Sequence, residues 1–175
     1  MKQRKRHPVW DVYDEYRTTL FHVKEHRQRI DNLTRFKRWT DIALAVFTPT
    51  SAITSFLFWN TQIGRVAWNV LVSCSAIMAI AKPLLKTDEE IQRVIRSLGG
   101  YTMLRHELED LRIKIRQEGS FNEPLKSEFA RIRSNKAKWY RHTTLISLSK
   151  RQREKLFNEV LTEAPVNRFF VPEDN

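Results

Sequence analysis

One cysteine, four glycines and six prolines are all that the sequence holds of the residues that staple, loosen or break a chain. The single thiol, Cys74, excludes an internal disulfide and any cysteine-based metal cluster. The simplest expectation for it is a small buried side chain. So few glycines and prolines leave little scope for a turn-rich β fold, and no stretch alternates apolar and polar residues as a half-buried strand does. Internal repeats and low-complexity tracts are missing as well. Gly99-Gly100 has neither the Lys-Ser/Thr nor the flanking strand of a phosphate-binding loop. The first 38 residues are charged throughout and lack the apolar core of a cleavable leader, so none is predicted. No catalytic residue and no cofactor is expected, and nothing favours an enzyme.

Charge is abundant but segregated. The net +11 of the 175 residues divides into +6 for residues 1–38, +4 for 86–175 and +1 for the stretch between. Residues 42–59 and 66–81 contain no Asp, Glu, Lys or Arg at all. The low mean hydropathy of −0.51 therefore hides two apolar blocks inside a charged chain.

Residues 1–38 begin with a basic arm. From Val9 the apolar residues Tyr13, Tyr16, Leu20, Val23, Ile30 and Leu33 fall at helical spacing, with Arg27 interrupting the seam. That stripe predicts an amphipathic helix ending near Arg38. Thr40 is the expected N-cap of a first span over about 40–59. Twenty helical residues rise roughly 30 Å, the thickness of a bilayer's hydrocarbon core. Trp39 and Trp59 bracket the block, and tryptophan favours the two membrane–water boundaries. A polar turn, 60–65, leads to a second span over about 66–85. Trp68 stands near one of its boundaries, while Lys82 reaches for headgroups at the other. Residues 39–86 thus predict a transmembrane hairpin. Basic residues flank its outer ends and Arg65 stands alone in the turn, which places both termini in the cytoplasm. The expected location is the cell inner membrane, as a multi-pass protein.

Thr87-Asp-Glu-Glu90 matches a capping box and predicts a long cytoplasmic helix over 87–118. Its stripe runs through Ile91, Val94, Ile95, Leu98, Tyr101, Leu104, Leu108, Leu111 and Ile115. Gly99-Gly100 is expected to interrupt or bend it, and Gly119-Ser120 to end it. In residues 119–175 further helices are expected over Pro124–Tyr140 and, capped by Ser149, over Lys150–Thr162, with an irregular tail from Ala164. The fold class is all-α: a two-helix membrane hairpin, an amphipathic N-terminal helix, a long cytoplasmic helix and C-terminal helices.

Three constellations bear on function. His22-Val-Lys-Glu25-His26 matches H-x-x-E-H, in which two histidines one turn apart hold zinc and the glutamate activates water. The surrounding helix is heavily charged and no third ligand is apparent, so the preferred reading is solvated helix charge and no metal. Within the spans, Thr48, Ser51 and Ser55 fall within about 60° on a helical wheel. Asn69, Ser73 and Ala76 form a second narrow face of small or polar residues. Such faces pack spans together, or line a water-filled path once several copies assemble. The basic, aromatic stretch Arg131–His142, with Trp139 and Tyr140, suits a solvated face or the membrane surface better than nucleic acid, which is not an expected partner.

An amphipathic helix, two spans joined by a minimal turn and a long capped cytoplasmic helix resemble the SLATT family over roughly Val9–Glu118. These are two-transmembrane effectors of bacterial nucleotide-signalling conflict systems. The resemblance implies a homo-oligomer in the inner membrane that permeabilises the bilayer when a cytoplasmic sensor protein detects phage. Residues beyond Gly119 match no part of that layout, and the sequence leaves their role open. Two other readings are a non-conducting membrane scaffold that recruits a cytoplasmic partner, and a soluble bundle with 42–59 and 66–81 as its core.

Overall fold

The computed structural model describes residues 7–47, 86–139 and 148–172, together with ten positions between Ile63 and Ile80. Every regular element among these residues is helical. The helices are α1 (Val9–Phe47), α2 (Thr87–Glu118), α3 (Glu123–Trp139) and α4 (Lys150–Glu163), and a 3₁₀ turn follows at Val166–Arg168. They belong to two compact units, one of Met1–Ile30 with Arg93–Asn175, the other of Asp31–Gln92.

Helix α1 starts where proline permits. Pro8 immediately precedes it, where no intrahelical amide hydrogen is needed, and the His7 imidazole accepts a hydrogen bond from the Val9 N–H at 3.2 Å. No glycine or proline then occurs for 39 residues, so nothing breaks the helix before Phe47. The expected restart at Thr40 does not occur. Its hydroxyl donates to the Lys37 carbonyl at 2.7 Å, bonding back within one continuous helix. Helix α2 likewise includes Thr87, which lies inside the first turn and not at the cap. Lys86 precedes it with φ of 44°, a left-handed conformation unusual for a residue with a side chain.

Gly99 and Gly100 do not interrupt α2, which runs unbroken through both. A methyl group on Gly99 would meet nothing within 4 Å, and its φ is not positive. Gly99→Ala is therefore expected to stabilise the protein by about 0.5–1 kcal/mol through the lost backbone entropy of glycine. A thermal melt beside wild type measures it; no gain would mean that the backbone there is not helical. Gly119, by contrast, sits at φ of 64° and ends α2 as a left-handed cap. Asn122 caps α3 by accepting from the Leu125 N–H at 3.2 Å. Ser149 caps α4, as expected, and the structure completes a capping box with Gln152.

In the unit of Met1–Ile30 with Arg93–Asn175, the predicted stripes meet. Tyr13, Tyr16, Leu20 and Val23 of α1 join Tyr101, Leu104, Leu108, Leu111 and Ile115 of α2 in one buried core. Leu125, Phe129 and Ile132 of α3 and Val160 of α4 complete it. Tyr16 lies by Arg112 and His22 by Tyr101, so α1 and α2 run antiparallel here. The tail is not loose. Phe169 stacks on Tyr13 at 4.3 Å between ring centroids, and the Tyr13 hydroxyl donates to the Phe170 carbonyl.

Candidate functional site

The unit of Asp31–Gln92 carries apolar side chains that the protein does not cover. On α1, Phe36, Trp39 and Ile42 recur every three residues along one exposed face, and Trp39 is 72% exposed. Arg35 and Arg38, also exposed, stand beside them. Lys37 instead holds Asp88 at 2.5 Å, and that hydrogen bond raises the ammonium above its ordinary pKa. An aromatic ring next to exposed guanidiniums is the side-chain set of a membrane–water boundary.

The ten described positions between Ile63 and Ile80 are all helical and all exposed. Ile63, Val66, Val70, Ile77 and Ile80 are 56–85% exposed. At 100° per residue, Ile63, Val66, Val70 and Ile77 fall within about 60° of one another. Asn69, Ser73 and Ala76 form the adjoining strip. Cys74 is exposed as well, contrary to the expectation of burial. Aliphatic side chains in such a row are costly in water, at roughly 25 cal/mol per Å² of apolar area.

The second cluster lies in the other unit and corrects the expectation of solvated charge. Glu25 and His26 are buried, at 4% and 7% exposure. His22 Nδ1 approaches Glu25 Oε2 at 3.4 Å, while Arg29 donates to Glu25 Oε1 at 2.9 Å. Arg153 on α4 lies 3.8 Å from the same oxygen, and the Tyr101 ring lies about 5 Å from both imidazoles, at 4.9 and 5.1 Å. Burial would raise the Glu25 pKa, but the His22 hydrogen bond and the charges of Arg29, His22 and Arg153 outweigh it and hold the carboxyl below its ordinary value. Burial depresses His26, against the opposing pull of its bond to the His22 carbonyl.

His26 Nδ1 lies 2.7 Å from the His22 carbonyl oxygen, which can only accept, so that nitrogen carries the proton. Both Glu25 oxygens face cationic or imidazole partners, Oε2 the His22 ring and Oε1 the guanidiniums of Arg29 and Arg153. Among the described residues no three His, Cys, Asp or Glu side chains converge as a metal would require. The cluster is a structural ion-pair network.

Of the span residues singled out in the sequence, Trp39, Asn69 and Ser73 are described, and all three are exposed. Thr48, Ser51, Ser55, Trp59, Trp68 and Lys82 lie outside the described residues. Among the described residues, no helix is long and apolar enough to cross a membrane. Compared with protein-family models, curated proteins and solved structures, the chain matches none.

Proposed function

We propose that this chain is a membrane effector: a two-span hairpin carrying a folded cytoplasmic head, which assembles into homo-oligomers and permeabilises the bacterial inner membrane. The observation that carries the membrane part is the uncovered aliphatic row Ile63, Val66, Val70 and Ile77. In a water-soluble bundle that row would form core; in lipid it needs no protein cover. The uncharged blocks 42–59 and 66–81 and the Trp39 belt support the same reading. Two spans cannot enclose a channel, so conduction requires several copies. The strip of Asn69, Ser73 and Ala76 would then pack neighbouring spans or face water, together with Thr48, Ser51 and Ser55 of the first. The conflict-system role, and a sensor protein as partner, follow from the SLATT-like layout alone.

Reconstituted into liposomes, the chain is expected to release a trapped dye. Leucine at Thr48, Ser51, Ser55, Asn69 and Ser73 together should lower that leakage by about tenfold or more, while carbonate-resistant insertion and oligomer size persist. Undiminished leakage in an inserted, assembled variant would remove these faces from any conducting path. A wild-type chain that inserts yet leaks nothing would leave the alternative, a non-conducting scaffold. That second reading draws on the head, which buries a core of its own and so offers a folded surface to a cytoplasmic partner.

A further inference from the structure

The end of α2, the end of α4 and the turn after it enclose a groove of about 720 Å³, all within the unit of Met1–Ile30 with Arg93–Asn175. Its volume is that of a small-molecule site. Arg112 and Arg116, one helical turn apart on α2, line it from one side, and Arg168 of the 3₁₀ turn lines it from another. We infer that this groove binds a small anion carrying two or more phosphate charges.

Charge balance decides the class of ligand. Glu109 and Glu163 also line the groove, but each is already matched. Glu109 pairs with Arg112 at 3.5 Å, and Glu163 with Lys24 at 2.8 Å. Arg116 and Arg168 are exposed, and neither has a carboxylate partner among the described residues. Two guanidiniums at one concavity repel each other unless an anion sits between them, and each presents a planar fork that fits phosphate oxygens in pairs. One carboxylate would satisfy only one fork, whereas a ligand with two or more phosphate groups offers an oxygen pair to each.

The shape of the groove is fixed by the core. Arg112 lies over the Tyr16 ring at 5.0 Å from its centroid, which sets the direction of the guanidinium. Phe169, stacked on Tyr13, holds the 3₁₀ turn and with it Arg168. Phe170 and Ile113, both partly exposed, add apolar surface for the body of the ligand. Every group named lies outside the predicted spans, so the site stands without the membrane reading.

The test uses the full chain in detergent at about 0.15 M salt, where surface attraction beyond about 8 Å is screened. Pyrophosphate and ATP are titrated separately by calorimetry, with inorganic phosphate and sulfate as single-anion controls. The expected result is saturable binding of at least one of the two polyphosphates, about tenfold or more tighter than either control. Arg116→Ala with Arg168→Ala should weaken it by about tenfold or more, with the circular dichroism and melt of wild type. Arg133→Ala, an exposed arginine outside the groove, should leave it unchanged. Absence of saturable binding, equal affinity for sulfate, or equal loss in Arg133→Ala would each overturn the assignment. Should the double variant fail to fold, Arg116→Lys decides instead: it keeps the charge but removes the fork, and unchanged affinity would refute the site.

Discussion

Glu25→Gln is expected to destabilise the head by about 3–5 kcal/mol, although glutamine nearly preserves the shape of the side chain. The carboxylate is buried and takes hydrogen bonds from His22 and Arg29, with Arg153 close by. Removing its charge leaves the Arg29 guanidinium, itself largely buried, beside a neutral amide. Breaking one member of such a set costs far more than an exposed pair, whose median worth is about 0–1 kcal/mol. Chemical denaturation of the two proteins at pH 7 measures the difference; a loss within about 0.5 kcal/mol, as for an ordinary surface change, would show that the cluster is solvated after all. The pH profile supplies a second reading. His26 is depressed on folding, so its contribution is complete above its unfolded value of 6.5 and declines as pH falls below that. Glu25 is also depressed, so its contribution is complete above 4.5 and declines as pH falls further. Wild type should therefore lose stability in two acid steps, and Glu25→Gln should lack the lower one.

The same cluster shows why part of the head was hidden in the sequence. His22, Lys24, Glu25, His26 and Arg27 follow one another so closely that a solvated face is the natural reading. What buries Glu25 and His26 comes from elsewhere: Tyr101 on α2 and Arg153 on α4, more than seventy residues away. Spacing along one helix carries no trace of such partners. Local devices fared differently. Ser149 as a cap, and Gly119 as a helix end, were legible because a cap is completed within a few residues. Thr40 failed as a cap for a related reason. Its hydroxyl can bond back along the helix as readily as forward, and only a real end selects the second option. At Gly99-Gly100 a cost of about 1 kcal/mol per glycine yields to the packed stripe on either side, from Val94 to Leu104 and Leu108. The groove at Arg112, Arg116 and Arg168 has no sequence signature, because α2 and the tail meet there only through the tertiary fold.

The core stripes themselves were readable because they obey one period. Tyr13 to Val23 and Tyr101 to Ile115 are buried as their spacing requires. The exposed aliphatic residues beyond Ile63 keep a helical period too, yet they stay uncovered. One physical difference separates the two sets. The head surrounds its stripe with a charged surface suited to water, whereas 66–81 contains no charged residue on any side. A helix without charge on any side is suited to burial, whether in protein or in lipid. The lipid placement proposed above is consistent with that difference, because it leaves the aliphatic row without protein cover.

Ile77→Arg tests that difference directly. Ile77 lies near the middle of 66–85 and is 66% exposed. On the surface of a water-soluble bundle the substitution would be nearly neutral, within about 0.5 kcal/mol. At the centre of a span, arginine in place of an aliphatic residue costs about 3–4 kcal/mol of insertion, a hundredfold shift or more. The variant is therefore expected to move from the carbonate-resistant membrane pellet to the soluble or aggregated fraction, while Arg17→Ala, on the head, pellets as wild type does. Cys74, less than one turn away, reports the same event chemically. Its thiol should resist a polar maleimide in native membranes, where lipid excludes the water-soluble reagent, and react in the Ile77→Arg chain. Unchanged pelleting together with a rapidly labelled wild-type thiol would place this helix in water. The membrane location and the proposed effector role would then fall together, and the phosphate groove would remain.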